Sequence, residues 1–461
     1  MKEAHYTAQE VLDIEYQGYG IIKPEGKVIF VEDVLPGEVV DVRLLRTRKR
    51  YAYAKPVRFH KRSPRRIEPF CPHFQDCGGC KWQYLPYEDQ IAFKQGFVRQ
   101  IMEHIGSIKD PPLQKIIGCT KDREYRNKLE YSFSNKRWLT QKEVESGGEI
   151  AESRALGFHV RGRFDKVLEI DRCFLQETVT NRIRNRLGEY CREKNYDFYD
   201  IRKNTGLMRT VTVRTSLFGE LMVIVSFGRR DEEAVFDVLT FLKECFPELT
   251  ALYYLINETG NDNIIPHDVK LFAGAPVIKE RCGSNTLMIH PKSFYQTNPE
   301  QAERLFALVS DWAELDGQER LADLYCGIGS IGLFLADSCR EVLGIDNVRE
   351  SIETAVENAA VNGKENCRYI CAEVEALSGG PDLGSCDLAV LDPPRAGLHP
   401  KALSRITESG IPRIIYVSCN PATQARDLQV LLSRYQLKRM RPVDMFPQTY
   451  HIENAVELTL R

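Results

Sequence analysis

Long apolar stretches are missing from this sequence. The longest, around Leu221 to Phe227, has a strand's length and falls far short of the ~20 residues a membrane span requires, so no membrane partner is expected. The opening MKEAHYTAQE has no apolar core behind its lysine, so no secretory leader is expected and the expected location is the cytoplasm. Internal repeats and low-complexity tracts are absent too, which excludes solenoids and disordered tails. Fourteen cysteines are present, but reducing compartments keep thiols free and a 461-residue chain needs no stapling. They are read here for metal binding or chemistry. Acids vanish between Arg43 and Arg66, where eleven Lys or Arg crowd a chain whose formal charge is only -2. Tyr51, Tyr53, Phe59 and His60 are interleaved with those charges, a pattern suited to phosphate contact and base stacking.

The chain is 43% hydrophobic and 28% charged, and its length allows about three domains of ~150 residues. Residues 8 to 60 alternate in short runs broken by Gly18, Gly20, Gly26 and Pro36-Gly37, which predicts a small OB-like β-barrel and an RNA-binding domain over 1–66. A cysteine-rich knot follows, then a helix from Tyr87 to Ile105 closed by Pro111-Pro112. The stretch Tyr125 to Cys282 reads as hairpins under one amphipathic helix, Asp231 to Cys245, so 67–287 is an expected α+β domain. Its helix 88–107 is expected to pack on the last domain. From 288 to 461 strands and helices alternate with short connections, the grammar of a doubly wound, Rossmann-like α/β sheet.

Gly327, Gly329 and Gly332 follow a predicted strand and open a helix, and Asp346 ends the next strand. That alone fits any dinucleotide site. Asp323 inside the first strand and Asp392-Pro393-Pro394-Arg395 at the end of a later one shift the reading from NAD to S-adenosylmethionine. Cys419 follows the apolar strand RIIYV and so arrives at the same sheet edge, placed as a nucleophile. Glu453 stands before the last strand, where a carboxylate can serve that crevice as a general base. One Cys, one base and one cofactor pocket are what methylation of a pyrimidine at carbon 5 demands, on a base flipped from its stack. Separately, Cys71, Cys77 and Cys80 supply three thiolates within ten residues. Given a fourth, zinc and a 4Fe-4S cluster suit the ligand count equally, and the lone CxxC with an offset third Cys favours the cluster.

Taken together, GKVIFVEDVLPGE, CPHFQDCGGCKWQ, YRNKLEYSF, FYQTN, DLYCGIGSIG, LDPPRAG and VSCNPAT resemble the RNA uracil-5-methyltransferase family, in its members with a TRAM barrel and an iron-sulfur cluster. The resemblance runs over nearly the whole chain. It implies that Cys419 is the nucleophile and Glu453 the proton-abstracting base. Gln296, Tyr325, Asp346 and Asp392 would line the cofactor and target-base pocket, with Phe294 near the base. It also implies that Cys173 completes a 4Fe-4S site with Cys71, Cys77 and Cys80, as a structural staple. The partner implied is RNA and the state a monomer. 23S ribosomal RNA is favoured over transfer RNA, because family members acting on transfer RNA generally lack the cysteine knot. Two positions depart from the family: Asp346 stands where Glu is usual and Ser330 where Asn is frequent.

Competing readings are an amino-methyltransferase and a non-catalytic RNA-binding protein. Arg395 takes the place where the first would need an aromatic and Cys419 would be idle, while the intact Gly loop, DPPR and SCNP argue against the second. A radical mechanism would need CxxxCxxC, which the spacing at Cys71 does not give.

Overall fold

The computed structural model describes residues 5–147, 152–376 and 383–461. Strands β1 (His5–Glu10), β2 (Asp13–Ile14), β3 (Gly20–Ile22), β4 (Val28–Val31), β5 (Val39–Thr47) and β6 (Tyr51–Lys61) form one sheet in the order β1-β5-β6-β4-β3-β2. It closes over a core of small and branched side chains, among them Ile22, Ile29, Val40, Val42, Ala52 and Ala54. The period-2 alternation of β6 turns Ala52 and Ala54 inward and Tyr51 and Tyr53 outward. Gly18, at φ +87°, lets the barrel seat on the cysteine-rich segment, since a Cβ there would meet Trp82 Nε1 at 2.3 Å.

The acid-free run is not acid-free in space, because part of it pairs with acids from elsewhere in the chain. Arg66 Nε lies 2.7 Å from the fully buried Glu38, and Arg65 pairs with Glu88 and Asp89. Arg46, Arg48, Lys49 and Arg50, at the β5–β6 turn, are exposed.

Helix α1 (Tyr87–His104) packs on the last domain. Its Lys94 Nζ lies 2.6 Å from Asp444 Oδ1 with both side chains fully buried, and Tyr87 donates to Asp444 Oδ2 at 2.8 Å. The central unit comprises β7 (Lys128–Ser134), α2 (Gln141–Ser146), β8 (Ala155–His159), β9 (Val167–Glu169), α3 (Thr178–Glu193), β10 (Met208–Thr215), β11 (Leu221–Phe227), α4 (Glu232–Cys245), β12 (Ala251–Ile256) and β13 (Lys270–Gly274). Its sheet order is β13-β12-β11-β10-β7-β8-β9, antiparallel except where α4 crosses between β11 and β12. Two helices therefore cover this sheet where the sequence promised one. The inward face of α3 carries Thr180, Asn181 and Arg184 beside Ile183, Leu187 and Cys191, too few apolar groups to signal a helix.

A hairpin, β14 (Ile278–Cys282) and β15 (Asn285–Ile289), leads into the last unit. That unit holds α5 (Pro299–Ala313), β16 (Arg320–Leu324), α6 (Ser330–Leu335), β17 (Glu341–Asp346), α7 (Arg349–Val361), β18 (Cys367–Cys371), β19 (Leu388–Leu391), α8 (Pro400–Glu408), β20 (Arg413–Ser418), α9 (Pro421–Leu431), β21 (Tyr435–Val443) and β22 (Glu453–Leu460). The order β18-β17-β16-β19-β20-β22-β21 reverses between β16 and β19, which creates a crevice at their carboxyl ends. β22 runs antiparallel to β20. One apolar cluster joins Met222, Ile224 and Tyr253 to Leu321, Val390 and Ile415, so the core crosses the boundary expected at 287 without a break. Among the described residues no helix is long and apolar enough to cross a membrane.

Candidate active site

The carboxyl ends of β16, β17, β19 and β20 and the start of β22 line one cavity of about 790 Å³, within the usual range for small-molecule sites. Gln296, Tyr325, Asp346, Asp392, Cys419 and Glu453 all reach it. Phe294 lines it too and is 67% exposed, a bare ring at the mouth.

The glycine loop owes its shape to three left-handed residues, Tyr325 (φ +63°), Gly327 (φ +53°) and Gly329 (φ +81°), which fold the chain sharply from β16 into α6. Asp346 holds the loop down: Oδ2 accepts from the Gly327 N–H at 3.0 Å and Oδ1 from the Val348 N–H at 2.9 Å. Each oxygen keeps a further lone pair. Beneath the loop, buried Asp323 accepts from the Gly332 N–H at 2.8 Å, while its Oδ1 has no partner. Burial, reinforced by Asp392 and Asp346, pushes the Asp323 carboxyl up to about 7, against the Gly332 hydrogen bond.

Asp392 follows β19, and burial pushes its carboxyl up to about 7. Cys419 follows β20. The antiparallel register that sets Asn454 opposite Ser418 brings Glu453 to the same edge. Glu453 is 2% exposed with Oε2 unpartnered, and burial and Asp392 raise its carboxyl well above the usual range, opposed by Arg395. The Cys419 thiol is pushed up to about 12 by burial, Glu453 and Asp392, and Arg395 again pulls the other way.

Arg395 and His451 also line this cavity, and sequence reasoning gave neither a role. The backbone carbonyl of Arg395 accepts from Asn420 Nδ2 at 3.2 Å, tying the DPPR turn to the turn that carries Cys419. No sequence signal links Arg395 to His451, 56 residues away. Arg126 is a third such residue: it lines this cavity and a smaller one of about 90 Å³ where Cys71, Cys77, Cys80 and Cys173 meet.

All four of those cysteines are free thiols. Burial pushes Cys77 up to about 11 and Cys80 to about 12, and in both the neighbouring cysteines of the set add to the rise. Among the described residues no three His, Cys, Asp or Glu side chains are arranged to hold a metal ion.

Comparison with known proteins gives a consistent likeness. The tRNA (uracil-5-)-methyltransferase family model matches residues 284–461, and the TRAM domain model matches residues 10–57. An RNA methyltransferase of Bacteroides thetaiotaomicron is 44% identical over 451 residues, covering 96% of this chain and 99% of its own. One from Porphyromonas gingivalis is 41% identical over 459 residues, with 97% and 99% covered. Among solved structures, the Pyrococcus abyssi tRNA (uracil-54, C5)-methyltransferase in complex with S-adenosyl-L-homocysteine is similar at a TM-score of 0.76 and 26% identity, over 98% of this chain and 100% of that one.

Proposed function

This chain belongs to the S-adenosylmethionine-dependent RNA uracil-5-methyltransferase family, and on that premise we propose that it methylates carbon 5 of one specific uridine through a covalent Cys419 adduct at carbon 6. The observation that carries the reading is the convergence of Cys419, Glu453 and Asp392 on one cavity with the glycine loop.

The cavity suits the cofactor: Asp346 has lone pairs to spare, Asp323 has an unpartnered buried oxygen beneath the loop, and Tyr325 and Asp392 flank them. S-adenosylmethionine, when bound, supplies a methyl group on a sulfonium. Carbon 5 of uracil is a poor nucleophile until the Cys419 thiolate bonds to carbon 6 and moves the double-bond electrons into an enolate. The bound cofactor would supply its methyl group to carbon 5, the sulfonium sulfur keeping the bonding pair as a neutral thioether. Glu453 removes the carbon 5 proton, those electrons restore the double bond, and the Cys419 sulfur leaves as thiolate. A buried carboxylate with raised proton affinity is suited to that abstraction near neutral pH. Gln296 and Asp392 would hold the edge of the flipped base, and exposed Phe294 would stack on it.

The substrate we favour is 23S ribosomal RNA, acted on in the cytoplasm by a monomer. A transfer RNA uridine is the second reading, favoured by the likeness to the P. abyssi enzyme. Cys71, Cys77, Cys80 and Cys173 would hold a 4Fe-4S cluster as a staple of the central unit, a reading supported by their lining one cavity, although no three of them are arranged as ligands of a single metal ion.

The test is adduct formation. Cys419→Ala should abolish methylation and leave cofactor binding nearly intact. Glu453→Gln should stall at elimination and accumulate methylated RNA attached to Cys419 on denaturing gels. RNA carrying 5-fluorouridine should trap the unaltered enzyme in the same way, because fluorine cannot leave as a cation. Normal turnover by Glu453→Gln, or no adduct dependent on Cys419, would return the amino-methyltransferase reading.

A further inference from the structure

The outward face of the barrel carries four aromatic rings that its core does not use. Along β6, Tyr51 and Tyr53 point away from the core, and Phe30 of β4 pairs in register with Tyr53. Tyr19, at the end of the turn between β2 and β3, joins them. Ring centroids lie 5.4 Å apart for Tyr19 and Tyr53, 5.6 Å for Phe30 and Tyr53, 5.7 Å for Tyr51 and Tyr53, and 5.8 Å for Phe30 and Tyr51. Tyr51 is 37% exposed, and the other three are half-buried. Such a cluster at a barrel surface costs hydration unless something flat covers it. Cations surround it: exposed Arg48, Lys49 and Arg50 lead into Tyr51, and Lys55 follows Tyr53 on the same outward register.

The turn that bears Tyr19 also reaches the active site. It is closed by the Gly18 N–H donating to the Glu15 carbonyl and the Glu15 N–H to the Tyr19 carbonyl, both at 2.8 Å. On its other side the Tyr16 ring lies 5.7 Å from that of Tyr450, which lies 4.2 Å from the His451 ring in the cavity wall. Tyr16 and Tyr19 are three residues apart, so their Cα atoms are separated by at most about 11 Å. That is on the order of three steps of ~3.4 Å along a stacked strand.

We propose that Tyr19, Phe30, Tyr51 and Tyr53 form a stacking subsite for unpaired bases of the substrate RNA, a few nucleotides from the target uridine. The inference rests on the RNA reading above and adds the course of the strand. Duplex RNA hides its base faces and is excluded by this chemistry, whereas single strands stack on aromatic side chains with little sequence preference.

The experiment uses the full chain and a fluorescein-labelled ten-nucleotide oligocytidylate, which has no uridine to occupy the catalytic cavity. Tyr53→Leu and Tyr51→Leu keep apolar cover on the sheet, and unchanged thermal unfolding certifies their fold; Phe30→Leu stands in for either one that misfolds. Each should weaken binding about fivefold or more while leaving the log-log salt slope and the affinity for a short RNA duplex unchanged. Three results would overturn the platform: unaltered affinity in the variants, a loss accompanied by a shallower salt slope, or no binding of the oligomer by the unaltered protein. Loss of the Cys419 adduct with oligomer binding intact would instead overturn only the catalytic reading.

Discussion

Arg395 Nη2 lies 3.1 Å from His451 Nδ1, and this pairing sets the charge around the nucleophile. Burial, then Arg395 and more distant Lys94 and Arg126, push His451 down to about 4, so the ring is neutral at neutral pH. Its Nδ1 therefore accepts from Arg395, and the ring proton sits on Nε2. Arg395 is thereby held where its positive charge opposes Glu453 and Asp392 at Cys419.

Removing that cation should make the thiolate harder to form. In Arg395→Gln, alkylation of Cys419 by iodoacetamide, followed on its own peptide by mass spectrometry, should need a higher pH. At pH 8 the rate should fall roughly tenfold for every pH unit by which the alkylation profile moves up. Arg395→Lys should fall between. An unmoved alkylation profile would mean that Arg395 serves the site only by shape.

Asp323 gives a second pH dependence, in stability. Its carboxyl is raised to about 7 by burial against 3.8 when free, so between those values the folded protein binds more protons than the unfolded chain. Stability from this group is full below pH ~4 and falls as pH rises through about 7, by on the order of 4 kcal/mol if it acts alone. Urea unfolding of the cofactor-free protein from pH 4 to 8 should show that decline, and Asp323→Asn, which can still accept from Gly332, should flatten it. An unchanged slope in Asp323→Asn would assign the decline to another group.

The parts of the molecule legible in the sequence are those whose signal is local. Gly327 and Gly329 mark the loop because the chain there needs positive φ, and Cys419 and Glu453 stand out because the first follows an apolar strand and the second opens one. The sheet order that brings those two strands together was legible only as a pattern of alternating elements. Features that depend on distant partners were hidden. Helix α3 is held inward partly by Arg184, which donates to the Asp171 carbonyl at 2.7 Å and to Asn181 at 2.9 Å, so polar bonds replace the apolar stripe that periodicity detects. Arg395 gave no hint of His451, because the two meet only after β20 and β22 pair.

The four cysteines of the central cavity give a prediction independent of catalysis. Protein purified without oxygen should be brown, with iron and sulfide in roughly equal amounts, and Cys173→Ser should lower both. Stoichiometric zinc without visible absorption would replace the cluster by a zinc site.

The barrel's cations should separate into two kinds when replaced one at a time. Arg66 lies with Nε 2.7 Å from Glu38, donates to the Asp33 carbonyl at 2.8 Å and sits over the rings of Phe59 and Tyr84 at 5.1 and 4.7 Å. Its side chain is 13% exposed and that of Glu38 not at all, so removing Arg66 leaves a buried carboxylate without its partner. Arg66→Ala should cost about 3–5 kcal/mol in unfolding free energy and leave the salt dependence of RNA binding as it was. Arg48→Ala, Lys49→Ala and Arg50→Ala, at an exposed turn, should do the reverse: unfolding within about 0.5 kcal/mol of the parent, and a salt slope shallower by roughly 0.7 to 0.9 for each phosphate no longer neutralised. Denaturant titration and fluorescence anisotropy at several salt concentrations read the two effects separately. A flattened slope in Arg66→Ala at unchanged stability would put Arg66 on the RNA and leave Glu38 paired by something else, whereas unchanged slopes in all three turn variants would make that turn a solvated face.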